Sequence, residues 1–155
     1  MLLLGQKFEM GDPWKQIAAM VGLDLTRDEL LESLSVAAAV AGKGRCLLII
    51  DAINEHLGVD LWPRRLAGFL ADIARYPWIA VVLSIRSTYL EQMLDGVSVH
   101  RIHHPGLEGH EEEALERYGA FYRLRLADLP PLLPELMNPL VLGSLCRALV
   151  GLVPL

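Results

Sequence analysis

Residues 46–55, CLLIIDAINE, constrain the fold more than any other stretch of the chain. Four branched apolar residues, Leu47, Leu48, Ile49 and Ile50, run without a polar break and end in Asp51, with a second carboxylate, Glu55, one short turn later. The run is too short for a helix of its own and has no polar alternation, so it predicts a strand of a parallel sheet buried on both faces. Ligands of open α/β sheets gather outside the carboxyl ends of the strands. An acidic pair placed there is suited to holding a divalent cation or steering a water.

Chain length and composition limit what can surround that strand. With 155 residues the chain can bury most of its apolar surface in one domain with a small appendage. Its hydrophobic fraction of 53% and mean hydropathy of +0.35 are high, yet no apolar run reaches the ~18 to 20 residues of a membrane span. Either the core is unusually rich or a partner-facing surface is left bare. A formal net charge of −5 with scattered basic residues argues against a nucleic-acid footprint. Cys46 and Cys146 read as buried reduced thiols, which fits a cytoplasmic setting. The opening MLLLGQKFEMGD has no cationic n-region and does not read as a secretory signal.

Alternating strand and helix signals fill the first two thirds of the chain. Met1–Leu4 reads as a strand stub broken by Gly5. Asp12-Pro13 pairs an N-cap with the residue favoured at the first helical position, and Trp14, Ile17, Ala18 and Val21 share one face of the helix that follows. Thr26 and Glu29 form a capping-box signature that opens a helix through Leu30, Leu34, Ala37, Ala38 and Val40. Gly42-Lys43-Gly44 stops it. After the central strand comes a loop through His56 and Gly58, then a helix striped by Leu66, Phe69, Leu70 and Ile73 and ended by Pro77. Residues 78–85, WIAVVLSI, predict a second buried strand, 87–94 a helical turn, and Val97–His103 a further strand.

From Pro105 onward only helices are expected. Glu111, Glu112 and Glu113 suit a first helical turn, and Leu115, Tyr118 and Tyr122 supply its apolar face. Pro130, Pro131 and Pro134 form a rigid connection to a last helix from Pro139 to about Val150, apolar nearly all round through Leu140, Val141, Leu145 and Leu149. Such a helix is deeply buried or short of a partner. Trp14, Trp62 and Trp78 read as packing residues. His100, His103, His104 and His110 do not make a convincing metal cluster, because His100 and His103 point to opposite faces of a strand and His110 lies beyond a Pro-Gly turn.

Within this α/β order, LLIIDAINE resembles the Walker B segment of P-loop NTPases, and VVLSIRS resembles the next strand, which carries a sensor Ser or Thr and an Arg. With NPLVLGSLCRAL near the end, the set is similar to the STAND class of signalling NTPases, the NACHT-like group that includes bacterial antiviral-defence ATPases. The resemblance spans nearly the whole chain. It implies an ATP- and Mg²⁺-dependent oligomerisation switch, with a partial ASCE-type P-loop core over residues 1–104 and a small helical lid over 105–155. It also implies that Asp51 holds Mg²⁺ through water, that Glu55 positions or activates the attacking water, and that Ser84 and Arg86 stand near the γ-phosphate. Asn138 and Pro139 match the lid motif that contacts the base. Asn54 stands where many relatives carry a second Asp, so slow hydrolysis is expected even in an intact relative.

One element of the family is absent. No G-x-x-x-x-G-K-[ST] occurs in the chain. Ala41-Gly42-Lys43-Gly44 follows a helix and precedes a strand, the reverse of a phosphate loop, and reads as a helix C-cap. By the family order the chain starts at the second strand, and the P-loop strand and helix belong to a missing N-terminal segment or to another chain. The chain alone is therefore expected not to hydrolyse ATP at a useful rate. Two other classes compete with this reading: a non-catalytic module or split half that docks onto a P-loop-bearing chain, and a Mg²⁺-dependent nuclease built on Asp51 and Glu55. The nuclease wants a further carboxylate or a Lys on the adjacent strand, and WIAVVLSIR offers neither. Homo-oligomers are the family's partners; no membrane and no direct nucleic-acid contact are expected.

Overall fold

The structure, a computed structural model, describes residues 1–42, 44–126 and 138–152. The chain divides into two compact units, Met1–Val99 and His100–Leu155. Its class is α/β: a three-stranded parallel sheet with, among the described residues, six α-helices. Pro130, Pro131, Pro134 and Lys43 lie outside the described residues.

In the first unit the strands β1 (Leu2–Leu4), β2 (Cys46–Asp51) and β3 (Ile79–Leu83) stand side by side in chain order. Leu3 is in register with Ile50, and Ile50 with Leu83. The helices α1 (Pro13–Met20) and α2 (Arg27–Ala41) connect β1 to β2, and α3 (Gly58–Ala74) connects β2 to β3. Parallel crossovers are right-handed, so two crossovers that step the same way across a sheet put their helices on the same face. Burial follows that rule. Leu3, Leu48, Ile50 and Ile79 are buried in one cluster with Trp14 and Ile17 of α1, Leu30 and Leu31 of α2, and Leu61, Trp62, Leu66, Phe69 and Ile73 of α3.

Local signals account for the helix positions. Asp12 Oδ1 accepts from Trp14 N at 2.8 Å, with Pro13 at the first helical position. Thr26 and Glu29 complete their capping box, Thr26 N donating to Glu29 Oε2 at 2.9 Å. Gly42, with φ 64°, closes α2 in the left-handed conformation that glycine adopts without strain. Trp14 stacks on Phe69 with ring centroids 4.4 Å apart, Trp62 meets both Phe8 and Phe69 edge-on, and the Trp14 indole N–H donates to Asp72. Pro63 lies inside α3 and cannot donate to the carbonyl one turn back. That carbonyl, Val59 O, accepts instead from Gln92 Nε2 at 3.4 Å.

Several sequence expectations need correction. The central strand is buried on one face only: Leu48 and Ile50 are buried, whereas Leu47 on the opposite face is 42% exposed. Trp78, just before β3, and Val82 within it fall on that uncovered face and are exposed too, so Trp78 is not a core packing residue. Val97–His103 forms no strand, and Ile102 is 86% exposed. A strand needs a hydrogen-bonded neighbour, and among the described residues none pairs with this segment. The helix expected through Leu30 to Val40 forms as α2, its inner stripe Leu30, Leu31 and Ala38 with Leu34 partly buried, and the ~100° step per residue turns Ala37 and Val40 outward. Val21 is the exposed C-cap of α1 rather than part of its inner face. The segment 87–94 is helical as expected, a 3-10 turn at Ser87–Tyr89 followed by α4 (Leu90–Met93).

The second unit pairs α5 (Glu111–Tyr122) with α6 (Pro139–Leu152) around Ala114, Leu126, Leu142 and Cys146. Tyr118 Oη donates to Pro139 O at 3.2 Å. The last helix is not buried all round. Leu142 and Cys146 face the cluster while Leu140, Val141 and Val150 are exposed. Both cysteines are free thiols, Cys146 buried and Cys46 half-buried. No helix among the described residues is long and apolar enough to cross a membrane.

Candidate functional site

The carboxyl ends of β2 and β3 bring five of the expected site residues together. Ser84 N donates to Ile50 O at 3.1 Å and Ile53 N to Ser84 O at 3.0 Å, which carries the backbone pairing past the strand ends. Held there, Ser84 Oγ donates to Asp51 Oδ1 at 2.5 Å and accepts from Ala52 N at 2.6 Å. The hydroxyl thus aims the Asp51 carboxylate and fixes the start of the loop after it. Arg86 Nη2 pairs with Glu55 Oε1 at 3.1 Å, with side-chain exposures of 66% and 35%. This is a single, largely solvated contact, of a kind that contributes ~0.2 to 1 kcal/mol.

Asn54 has a different place from the one its sequence position suggests. It is 4% exposed, and its Oδ1 accepts from the Arg86 backbone N at 2.9 Å. The side chain braces the loop after β2 to the loop after β3, so its carbonyl is engaged within the protein rather than offered to a water. The loop itself is tightly wound. Ala52 and His56 have φ values of 55° and 51°, a region that few side-chain-bearing residues occupy. Two glycines hold it from below. A Cβ on Gly5 would stand 2.1 Å from Ala52 O, and one on Gly58 2.1 Å from Ile53 O. Sequence reading took Gly5 as a strand breaker and Gly58 as part of a loop. Close backbone approach is their actual demand, and only three-dimensional packing reveals it.

Asn138 and Pro139 belong to the second unit, where Asn138 Oδ1 accepts from Leu140 N at 2.9 Å and Pro139 opens α6. Both have a complete local role as a helix start. Gly42 ends α2 with its N–H on Ala39 O, as a C-cap does, and forms no phosphate cradle. Among the described residues no group of three or more His, Cys, Asp or Glu side chains is gathered as a metal centre. A shallow apolar furrow along α2, lined by Leu25, Val36, Ala37 and Val40 among others, includes none of the site residues.

Comparison of the chain with family models, with curated proteins and with solved structures finds no match.

Proposed function

We propose that the Met1–Val99 unit is a partial nucleotide-binding module of a STAND or NACHT-like signalling ATPase, an ATP-dependent switch of defence type. The observation that carries this reading is the Asp51–Ser84 contact beside the Glu55–Arg86 pair, at the carboxyl ends of adjacent parallel strands. Fit to the group is uneven. Asp51 is exposed and Ser84 occupies Oδ1, while Oδ2 accepts no hydrogen bond among the described residues, which suits an ion held through water. The phosphates have no Gly-rich loop in this sequence to receive them. When bound, Mg²⁺ neutralises charge on the β- and γ-phosphates.

The chain's own residues would act as follows. Ser84 orients the Asp51 carboxylate. Arg86, tied by its backbone to Asn54, presents a guanidinium that can leave Glu55 for a phosphate oxygen. Glu55, so released, faces the site as a carboxylate able to orient a water. Without a phosphate cradle these groups bind and sense better than they catalyse, so the isolated chain is not expected to turn over ATP.

Titration of the purified chain with a fluorescent ATP analogue and Mg²⁺ tests the reading. Saturable, Mg²⁺-dependent binding that Asp51→Ala weakens at least tenfold supports it. Binding indifferent to Asp51→Ala refutes the assignment of this site.

A further inference from the structure

The loop from Ala52 to Leu57 carries Glu55 and is held in a costly shape. Ala52 and His56 sit in the left-handed region, with φ 55° and 51°. Residues of this kind persist only where their surroundings over-determine them. The hold comes from the loop after β3: Ser84 Oγ accepts from Ala52 N at 2.6 Å, and Arg86 N donates to Asn54 Oδ1 at 2.9 Å. Both clasps run through residues of the candidate site, since the same hydroxyl donates to Asp51 and the same arginine pairs with Glu55.

Beneath the loop a donor and an acceptor lie unmet. Trp62 is fully buried, and its indole N–H finds no hydrogen-bond partner among the described residues. The Ile53 carbonyl likewise accepts no hydrogen bond among the described residues. The two are neighbours: the point where a Cβ on Gly58 would stand lies 2.1 Å from Ile53 O and 3.3 Å from Trp62 Cδ1, the carbon bonded to the indole nitrogen. Glycine at 58 keeps that space free of a side chain. A buried donor is rarely left unpaired, because it has given up its hydration for nothing in return. In the clasped loop, two hydrogen bonds are therefore set against two left-handed residues and one unmet donor. These are free energies of like size, so a small bias on either side decides the state.

We infer that the loop from Ala52 to Leu57 is a two-state switch: a clasped state held by Ser84 and Asn54 exchanges with a released state in which Ala52 and His56 leave the left-handed region and the Ile53 carbonyl takes the Trp62 indole N–H. Whatever draws Ser84 or Arg86 out of its present contact loosens the clasp, and Glu55 moves with the loop. That the occupant is a nucleotide rests on the proposed function; the switch rests on the loop's own contacts.

NMR of the full chain with nitrogen-labelled indoles tests the inference, the Trp62 signal being assigned through its contacts with Phe8 and Phe69. Relaxation dispersion and saturation transfer read exchange on the microsecond-to-millisecond scale. The Trp62 indole N–H is expected to exchange with a minor signal shifted downfield, as a newly hydrogen-bonded proton is, while the Trp14 indole, already donating to Asp72, stays silent. Ala52→Gly and His56→Gly relieve strain only in the clasped state, and each lowers the released-to-clasped ratio about fivefold. Asn54→Ala and Ser84→Ala each remove a clasp and raise it about fivefold. A single Trp62 signal without exchange overturns the switch, whether upfield as for an N–H lying against an aromatic ring or downfield as for one held by a buried water. Glycine variants that leave the ratio unchanged overturn it too. With Mg²⁺ and the fluorescent ATP analogue, saturable binding that leaves the Trp62 ratio unchanged overturns the coupling to the site and spares the nucleotide reading. The expected exchange in a chain that binds no analogue supports the switch and removes the nucleotide reading.

Discussion

Asn54→Ala is the sharpest test of how the candidate site is held together. The substitution deletes the acceptor of the Arg86 backbone N–H from a position 4% exposed. Leaving a buried donor without a partner costs ~1 to 3 kcal/mol; because this hydrogen bond is only part-buried, about 2 kcal/mol is expected. Arg86→Gln removes only the solvated contact with Glu55 and should cost about 0.5 kcal/mol. Trp14, Trp62 and Trp78 all lie in the Met1–Val99 unit, so tryptophan fluorescence during urea unfolding reports that unit alone. With a urea slope of ~2 kcal/mol per molar, Asn54→Ala lowers the midpoint by about 1 M and Arg86→Gln by about 0.25 M. A midpoint shift for Asn54→Ala no larger than that for Arg86→Gln would refute the brace and return Asn54 to the solvent-facing role its position in the motif suggests.

Other substitutions address the supports around the site. Gly5→Ala drives a Cβ into the Ala52 carbonyl and should cost on the order of 3 kcal/mol in the same urea assay. Gly68→Ala, in an open helical position of α3, should instead stabilise by about 0.5 to 1 kcal/mol. Thr26→Ala removes the α2 cap and should cost about 1 kcal/mol. The Thr26 hydroxyl, with the Thr26 backbone N–H, holds the Glu29 carboxyl below the usual carboxylate range. A carboxyl depressed on folding contributes stability above its unfolded pKa and loses it as pH falls through its folded one. Urea midpoints taken from neutral to acid pH should therefore show a Glu29 component that Thr26→Ala diminishes. Burial pushes the Cys146 thiol up. In the native chain a thiol-alkylating reagent at mildly alkaline pH should modify half-buried Cys46 well before Cys146, and denaturant should equalise them.

What could be read from the sequence was what short-range chemistry decides. Asp12-Pro13, the Thr26–Glu29 box and Gly42 carry their own hydrogen-bonding logic, and each helix end falls where that logic puts it. The α/β class followed from apolar runs separated by helical stripes, whereas the hydrogen bond from Ser84 to Asp51 appears only once the two strands lie side by side. Properties set by distant partners were not readable. Asn54 looks polar and loop-bound in sequence, and only the neighbouring β3 loop turns it into a buried brace. Val97–His103 has strand-like residues, but a ladder is a property of two strands, and the residues of one cannot supply the other.

The central strand shows why the uncovered face escaped the same reading. LLII satisfies two arrangements equally: helices of its own chain on both faces, or its own helices on one face and a partner on the other. Choosing between them takes the order of the strands. Because β1, β2 and β3 step the same way, their crossovers all fall on the Leu48 and Ile50 side, and the Leu47 and Val82 side is left to solvent. Part of the apolar surplus behind the mean hydropathy of +0.35 is therefore placed rather than dispersed. It lies on the same face of the strands as Asp51 and Ser84, so anything that covers Leu47 and Val82 must also come up against the candidate site. Val82 lies two residues before Ser84 on that face, so Val82→Lys sets a charge on the apolar surface that borders the Asp51–Ser84 contact.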